Sequence, residues 1–182
     1  EELDWNAWKR IMNSWLKLNL YVFGREWNYK DIPRQIIVEK FIVHEPLNDY
    51  KFMCFNGEPK FIQINNDFEG KHYVDFYDMN WNKADFTYLG YTLSKRNLDK
   101  PTKFDEMIKL ARELSKPFPY VRIDFYNLED EIIFGEMTFF PGGGMLPLAP
   151  IENGFDEKLG AWLNLPQPNH NLELYNSTQT QD

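Results

Sequence analysis

Residues 120–144 read YVRIDFYNLEDEIIFGEMTFFPGGG, and this stretch predicts much of the fold. Polar and apolar side chains alternate through 120–126 and again through 131–139, as they do in half-buried strands. The residues between these runs include Asn127 and Asp130, which favour a turn. We therefore predict an antiparallel hairpin, followed after Pro141 by a glycine loop that cannot continue a strand.

Four polar side chains of this hairpin form a candidate site. Side chains alternate faces along a strand, so Arg122 shares a face with Asp124, and Glu136 shares a face with Thr138. We predict a register that places Glu136 directly opposite Arg122, about 7–8 Å diagonally from Asp124. Two such carboxylates repel unless a cation bridges them, and hard oxygen ligands suit Mg²⁺. Cross-strand Arg–Glu pairs are also ordinary in sheets, and a one-residue slip would separate the four, so both interpretations stay open.

Three further segments upstream predict strands. Residues 35–42, QIIVEKFI, are a β-branched run after Pro33 and predict a buried strand. Residues 49–55 and 60–64 flank Asn56-Gly57, the strongest short hairpin signal. Residues 76–91 are aromatic but interrupted by turn formers, and they predict irregular strand and loop.

Two helices are predicted as well. The first has Asp4 at its start and an apolar stripe that predicts a core-facing side, formed by Trp5, Trp8, Met12, Trp15 and Leu16. Whether the surface that it packs on lies in this chain or in a missing N-terminal portion stays open. The second begins near Thr102, with Asp105 three residues later in a capping-box arrangement, and ends at Lys116-Pro117. Its apolar stripe consists of Phe104, Met107, Ile108, Ala111 and Leu114.

Composition excludes several classes of protein. The 182 residues include 28 acidic and 20 basic side chains, for a net charge of −8, and no dense Lys/Arg run that would track nucleic acid. One cysteine excludes an internal disulfide framework, and three scattered histidines exclude the usual zinc spacings. No apolar stretch approaches the ~20 residues of a membrane span, and no leader pattern is visible. We expect a cytoplasmic α+β protein with an antiparallel sheet and packed helices.

The order of these pieces resembles the C-terminal part of ATP-grasp enzymes, in particular the TupA-like ATP-grasp family. That family is associated with bacterial cell-surface polysaccharide and teichuronopeptide synthesis. The resemblance extends from about residue 20 to 166 and rests on segments 25–30 (REWNYK), 37–41 (IVEKF), 49–57 (DYKFMCFNG), 121–126 (VRIDFY), 135–142 (GEMTFFPG) and Leu159-Gly160. It implies an ATP-grasp C-terminal subdomain over residues 1–175, with residues 176–182 as a polar tail.

The resemblance also assigns roles around ATP. The segment that looks like the adenine-binding hinge consists of Glu39, Lys40, Phe41 and Ile42. It leads through a loop containing His44, Glu45 and Pro46 to Asp49, which is similar to the acidic residue that holds ribose. Lys51, on the next strand, is a candidate phosphate contact, although exposed lysines usually bind nothing specific.

The metal and substrate positions follow in the same way. Asp124 and Glu136 match the carboxylates that ligate Mg²⁺, and Arg122 matches the arginine that faces the transferred phosphoryl group. Thr138 stands where ATP-grasp enzymes often have Asn, which makes it a weaker third ligand. The loop that resembles the edge of the acceptor pocket consists of Gly142, Gly143 and Gly144.

The implied activity is an ATP-dependent carboxylate–amine ligase that works through an acyl phosphate. Its partners would be small-molecule or glycan-linked carboxylates and amines. The family's N-terminal region and its glycine-rich phosphate loop have no counterpart here, so we expect a C-terminal half that alone binds ATP weakly. Replacing Asp124 by Asn or Glu136 by Gln is expected to abolish turnover of the complete enzyme with the fold intact.

Two alternatives remain from the sequence. Trp81, Tyr88 and Tyr91 lie in an aromatic, polar stretch and suggest a non-catalytic carbohydrate-binding or scaffolding module in polysaccharide assembly. The other alternative is a degenerate fragment that only inherits the site residues.

Overall fold

The computed structural model describes residues 3–42, 48–128 and 131–165. The helices in these residues are α1 (Trp5–Trp15), α2 (Leu20–Gly24), α3 (Phe104–Ser115) and α4 (Phe155–Gly160). The strands are β1 (Asp49–Phe55), β2 (Glu58–Phe68), β3 (Lys71–Asp78), β4 (Thr87–Tyr88), β5 (Tyr120–Asn127), β6 (Ile132–Thr138) and β7 (Leu148–Ala149). Short 3₁₀ turns occupy Trp27–Tyr29, Pro141–Gly144 and Ile151–Asn153.

Five of the strands form one antiparallel sheet in the order β3-β2-β1-β5-β6. The hairpins β1–β2 and β5–β6 lie side by side, because β1 also pairs with β5 along its whole length. A separate two-stranded ladder joins β4 to β7. The predicted α+β class with antiparallel pairing is confirmed.

The β1–β2 turn confirms the Asn56-Gly57 prediction. Asn56 and Gly57 have φ values of 51° and 80°, and Phe55 pairs directly with Glu58 across the two-residue loop. These left-handed conformations match the right-handed twist of the two strands.

The two faces of the sheet carry different layers. Helix α3 covers one face, and the buried residues there include Phe52, Cys54, Ile62, Met107, Ala111 and Ile123. The β4–β7 ladder and α4 cover part of the other face, where the buried residues include Met53, Phe55, Phe76, Phe86, Leu148 and Leu159. The layer against α3 is apolar apart from the buried Asp75, which pairs with Lys83 at 3.0 Å, whereas the opposite face leaves a polar region beside its apolar cluster.

Helix α3 ends at Ser115, followed by Lys116-Pro117, as predicted, but its start differs from the predicted capping box. The helix begins at Phe104 after Lys103, and no side chain of its own first turn caps it. Instead, the Lys103 N–H donates to Asn127 Oδ1 at 3.1 Å, and Asn127 Nδ2 donates to Thr102 Oγ1 at 3.3 Å. The end of β5 therefore supplies the polar contact that the local motif was expected to supply.

Helix α1 confirms its predicted cap but not its predicted burial. Asp4 accepts hydrogen bonds from the N–H groups of Asn6 and Ala7, each at 3.0 Å. However, no α1 residue is buried, and Trp5 is 69% exposed. The core-facing prediction is therefore wrong within the described residues, because periodicity shows which side of a helix is apolar and not what covers it.

The strand predicted over 35–42 is also wrong. These residues form no strand, and Ile37, Val38 and Phe41 are each at least 80% exposed. A β-branched run becomes a strand only where a sheet edge offers backbone partners. In the described residues this run pairs with neither edge strand, β3 or β6.

The irregular stretch predicted over 76–91 agrees in part with the structure. Strand β3 continues to Asp78, whose carboxylate then accepts from the N–H groups of Asn80 and Asn82 at 2.8 Å each and holds a tight turn. Regular pairing resumes only in the two residues of β4. Within the described ranges, no helix combines the length and apolar character that crossing a membrane requires.

Candidate functional site

A cluster of charged and polar side chains lies on the sheet face opposite α3. Strands β1, β5 and β6 each contribute two of them by the alternation of side chains along a strand. The members of this polar cluster are Asp49, Lys51, Arg122, Asp124, Glu136 and Thr138.

Lys51 and Asp124 form the centre of the polar cluster. They are direct cross-strand partners, and Lys51 Nζ donates to Asp124 Oδ2 at 2.7 Å. Lys51 also donates to the carboxylate of Asp49. The side chain of Asp124 is only 3% exposed, so this carboxylate depends on its cationic neighbours for the solvation that water would otherwise provide.

Arg122 connects the two carboxylates proposed to hold a metal. Its Nε and Nη2 donate to the two oxygens of Asp124, each at 2.8 Å, in a bidentate pair. The same Nη2 donates to Glu136 Oε1 at 2.6 Å and to Thr138 Oγ1 at 3.0 Å. All four residues therefore meet on one face, as the alternation along each strand predicted.

The register of this hairpin differs from the predicted one. Arg122 lies opposite Thr138, not opposite Glu136, and the pairing shifts by one residue between Ile123 and Phe125. Such a bulge changes the local twist of the strand. It falls beside Gly135, where an added Cβ would lie 3.2 Å from the carbonyl oxygen of Asp124, so the close approach of the two strands favours glycine.

The charges of the polar cluster do not cancel. Three carboxylates (Asp49, Asp124, Glu136) against two cations (Lys51, Arg122) leave a formal charge of −1. Burial raises the pKa of Asp49 despite its contact with Lys51. Burial alone would lower the pKa of Lys51, but its hydrogen bonds to Asp124 and Asp49 outweigh it and raise that pKa, so Lys51 stays cationic.

These residues fit Mg²⁺ in their chemistry. Asp124 and Glu136 contact the same nitrogen of Arg122, so their oxygens lie close enough together for one cation to bridge them. Carboxylate oxygens are the ligands Mg²⁺ takes from proteins, usually from one or two residues. No group of three or more His, Cys, Asp or Glu side chains arranged for a metal was found in the part of the chain that the structure describes. A magnesium ion here would therefore rest on two protein carboxylates, with its other ligands coming from phosphate and water.

A cavity of about 1100 Å³ opens beside the polar cluster. Its lining brings together the residues predicted for adenine, ribose, phosphate and metal: Glu39, Lys40, Phe41, Ile42, Asp49, Lys51, Asp124 and Glu136. Residues 39–42 therefore face the candidate site although they form no strand. The loop residues His44, Glu45 and Pro46 lie outside the described residues.

Seven lining residues of this cavity were not among the predicted site residues. They are Ile37, Tyr126, Leu128, Glu131, Ile133, Phe134 and Gly135. Tyr126 follows Asp124 by two positions on β5, so the same alternation that grouped Arg122 with Asp124 was a signal for it. Ile133 pairs with Tyr126 and lies on the same side, whereas Phe134 pairs with Phe125 and reaches the cavity from the edge strand β6, which the sequence did not signal.

The glycine loop does not line the cavity beside the polar cluster. Gly142, Gly143 and Gly144 have φ values of 59°, 68° and 71°, and the Gly143 N–H donates to the Phe140 carbonyl at 2.9 Å. That N–H is therefore used within the turn and is not free for an anion. Gly144 lines a second cavity of about 640 Å³, which is largely apolar.

The aromatic residues considered for sugar binding do not form one surface. Trp81 stacks on Tyr77 at 4.6 Å and packs on Phe104 of α3, so it belongs to the core on that side. Tyr88 is buried in the cluster on the other face of the sheet. Tyr91 is more exposed and packs edge-on against Tyr88.

The sequence model that describes the TupA-like ATP-grasp family matches residues 2–164. No curated protein and no solved structure is detectably similar to the chain. The match includes all six residues of the polar cluster and all the described residues that line the 1100 Å³ cavity. ATP-grasp enzymes generally use ATP and Mg²⁺, and the two carboxylates described above suit Mg²⁺ in their chemistry. The five-stranded antiparallel sheet with its packed helices is consistent with an ATP-grasp subdomain, and the chain belongs to the TupA-like ATP-grasp family.

Proposed function

We propose that the polar cluster and the 1100 Å³ cavity form the nucleotide site of an ATP-dependent carboxylate–amine ligase. The observation that carries the proposal is the convergence of Asp124 and Glu136 on one nitrogen of Arg122 at this cavity. A surface ion pair would need only two partners. Here three carboxylates and two cations are held together, and three of the five, Lys51, Arg122 and Asp124, are each at most 13% exposed.

The first step transfers the terminal phosphoryl group of ATP to a carboxylate. A carboxylate oxygen attacks the γ-phosphorus, the bond to ADP breaks, and an acyl phosphate forms. An amine then attacks the carbonyl carbon, loses a proton and releases inorganic phosphate. Mg²⁺, when bound to Asp124 and Glu136, would screen the phosphate charges.

Arg122 and Lys51 would supply the protein's own positive charge to these steps. Both side chains are only 13% exposed and are held by at least two partners, so little reorganisation is needed when charge moves between oxygens. Arg122 would face the transferred phosphoryl group and the acyl phosphate. Lys51 would reach a phosphate from its position between Asp49 and Asp124.

Asp49 and residues 39–42 would hold the nucleoside. The Oδ1 atom of Asp49 is buried and has no hydrogen-bond partner in the described ranges. An unpartnered carboxylate oxygen on a cavity wall is a favourable acceptor for a ribose hydroxyl. The exposed backbone of 39–42 lines the same cavity and would face the adenine.

We further propose a cytoplasmic role in cell-surface polysaccharide or teichuronopeptide biosynthesis. The support is the family resemblance, and the substrates would be small-molecule or glycan-linked carboxylates and amines. The net charge of −8 argues against a nucleic-acid partner. The glycine-rich phosphate loop of the family has no counterpart among these residues, so a further portion bearing that loop is expected to be needed for full turnover.

Calorimetric titration with the non-hydrolysable analogue AMP-PNP, with and without Mg²⁺, tests the proposed site. We expect binding that requires Mg²⁺ and weakens at least tenfold in Glu136→Gln. The matched control is Glu113→Gln, which changes an exposed glutamate on α3 whose ion pair among the described residues is with Lys116.

The outcomes separate cleanly. Mg²⁺-independent binding, or equal binding by Glu136→Gln and Glu113→Gln, would contradict the metal assignment. If the chain alone gives no heat, the titration is repeated with the phosphate-loop portion present, and a second absence of binding would overturn the proposal.

A further inference from the structure

The 640 Å³ cavity lies on the same sheet face as the polar cluster, one step along the strands. On β1 the side chains facing this way change from Lys51 to Met53 to Phe55. On β5 their direct partners change from Asp124 to Arg122 to Tyr120. The face therefore passes from charged to apolar within about two residues on both strands at the same level. Arg122 lies at the boundary between the two cavities. It is the cross-strand partner of Met53, which lines the apolar cavity, and it donates a hydrogen bond to Asp124, which lines the polar cavity.

The walls of this apolar cavity come from six separate parts of the chain and are largely apolar. They include Phe118, Phe139, Leu146, Leu148, Leu159 and Leu163. Leu146 is held in place because its side chain packs directly against Gly142, whose φ is 59°. An added Cβ on Gly143 would lie 2.5 Å from the carbonyl oxygen of Gly24, so the loop is also packed from behind.

The polar side chains that line this cavity are those of Asn28, Tyr88, Tyr120 and Asp156, and the Asp156 carboxylate accepts from the Leu148 N–H at 3.1 Å. The Oδ1 atom of Asn28 is buried without a partner in the described part of the chain. Burial raises the pKa of the Tyr88 and Tyr120 hydroxyls. A mostly apolar concavity with a few oriented polar groups is typical of a small-molecule site.

We propose that this cavity holds the body of the carboxylic-acid substrate, and that the body is an aromatic ring or a hydrocarbon chain. The inference rests on the proposed function, since it places the acid's carboxylate at Arg122, next to the phosphoryl donor. The Arg122 guanidinium at the boundary of this apolar pocket is complementary to the carboxylate of a small acid with an apolar body. A sugar acid fits poorly, because its hydroxyls would lose water against walls that offer few hydrogen-bond partners.

The charge of the polar cluster adds a condition. Because the cluster carries a formal −1, a carboxylate at its edge is repelled until a cation joins it. The acid should therefore bind more tightly once Mg²⁺ and nucleotide are present. A neutral molecule of the same shape should not show this dependence.

Fluorescence titration of the full chain with 2-naphthoate tests the inference, with 2-naphthamide as the neutral probe of the same shape. We expect 2-naphthoate to bind at least threefold more tightly with Mg²⁺ and AMP-PNP than without them, and 2-naphthamide to bind equally in both. Leu146→Asp should weaken both probes at least tenfold, since it places a charge on the cavity wall. The control is Leu89→Asp: Leu89 is 52% exposed, similar to Leu146 at 44%, and lies outside the cavity.

Two results would overturn the inference. One is 2-naphthoate binding that Leu146→Asp and Leu89→Asp affect equally, and the other is glucuronate displacing 2-naphthoate at equal concentration. Failure of the proposed function is seen separately, as absence of AMP-PNP binding. If the nucleotide does not bind but 2-naphthoate does, and Leu146→Asp removes that binding, the apolar cavity is supported as the site of the acid. Its coupling to nucleotide is then contradicted.

Discussion

The two faces of strands β1 and β5 are built from the same backbone but differ in what they bury. Toward α3 the two strands present Phe52, Cys54, Val121, Ile123 and Phe125, each at most 2% exposed. Toward the opposite side they present the polar cluster and then the floor of the apolar cavity. One face is packed as a protein interior, whereas the other holds charges and open space.

This difference separates stability from function within one sheet. Apolar burial against α3 stabilises the fold, because each side chain there leaves water and contacts other apolar groups. Buried charges on the opposite face lose their interactions with water, and only their interactions with each other compensate for that loss. Packing alone gives no reason for Lys51, Arg122 and Asp124 to meet where they do, so their arrangement is better explained by binding.

The largest expected effect is on the face covered by α3. Phe52 is fully buried and contacts the rings of Phe104 and Phe125. Phe52→Ala should lower the free energy of unfolding by about 3–5 kcal/mol, through lost burial and the cavity left behind. Urea denaturation followed by circular dichroism measures this. Phe140→Ala, at a 42% exposed ring beside the apolar cavity on the other face, is the control and should cost about 1 kcal/mol or less; equal losses would contradict the comparison.

The next effect concerns Asp124, where the structure revises an expectation from the sequence. Asp124→Asn removes the carboxylate that Lys51 and Arg122 share. The Asp124 side chain is only 3% exposed, so water cannot easily replace it. We therefore expect a loss of about 2–4 kcal/mol in unfolding free energy, so this variant does not leave the fold unaffected. Glu136→Gln, at a 61% exposed side chain, should cost about 0.5 kcal/mol or less and is the cleaner test of function. The same denaturation experiment decides, and an unchanged midpoint for Asp124→Asn would show that the pair is weakly coupled to folding.

The smallest effect comes from Cys54, on the α3 face. Burial raises the pKa of this thiol from 9.0 to about 12. As the pH rises above 9.0, the unfolded chain loses the thiol proton while the folded chain keeps it, so stability falls. Between pH 8 and pH 10 the wild type should lose about 1 kcal/mol more than Cys54→Ala. The buried tyrosines shift stability in the same direction in both proteins, so the difference reports Cys54; identical pH profiles would mean that the thiol is open to solvent.

The parts of the fold predicted correctly are those whose signals are local. Alternation and turn chemistry specify the β1–β2 and β5–β6 hairpins, because each strand's partner lies a few residues away. The prediction fails for α1 and for residues 35–42, whose apolar sides need a partner distant in the chain. Periodicity identifies such a side without identifying what packs on it.

For the candidate site, too, the local features were predicted correctly and those that depend on distant segments were not. Alternation grouped Arg122 with Asp124 and Glu136 with Thr138, and the structure brings the four together. It did not predict the bulge at Gly135, because a bulge depends on how two strands fit and not on either alone. Nor did it predict the apolar cavity, whose walls come from segments separated by as many as about 130 residues.

The most direct test of the account is to locate the nucleotide by NMR on the ¹⁵N-labelled chain, with AMP-PNP and Mg²⁺ added. We predict the largest shift changes at Lys51, Asp124, Glu136 and the Nε–H of Arg122, with the amides of α3 nearly unchanged. Shifts concentrated on α3, or a Nε–H resonance of Arg122 that does not move while the nucleotide binds, would contradict the assignment of function to this face.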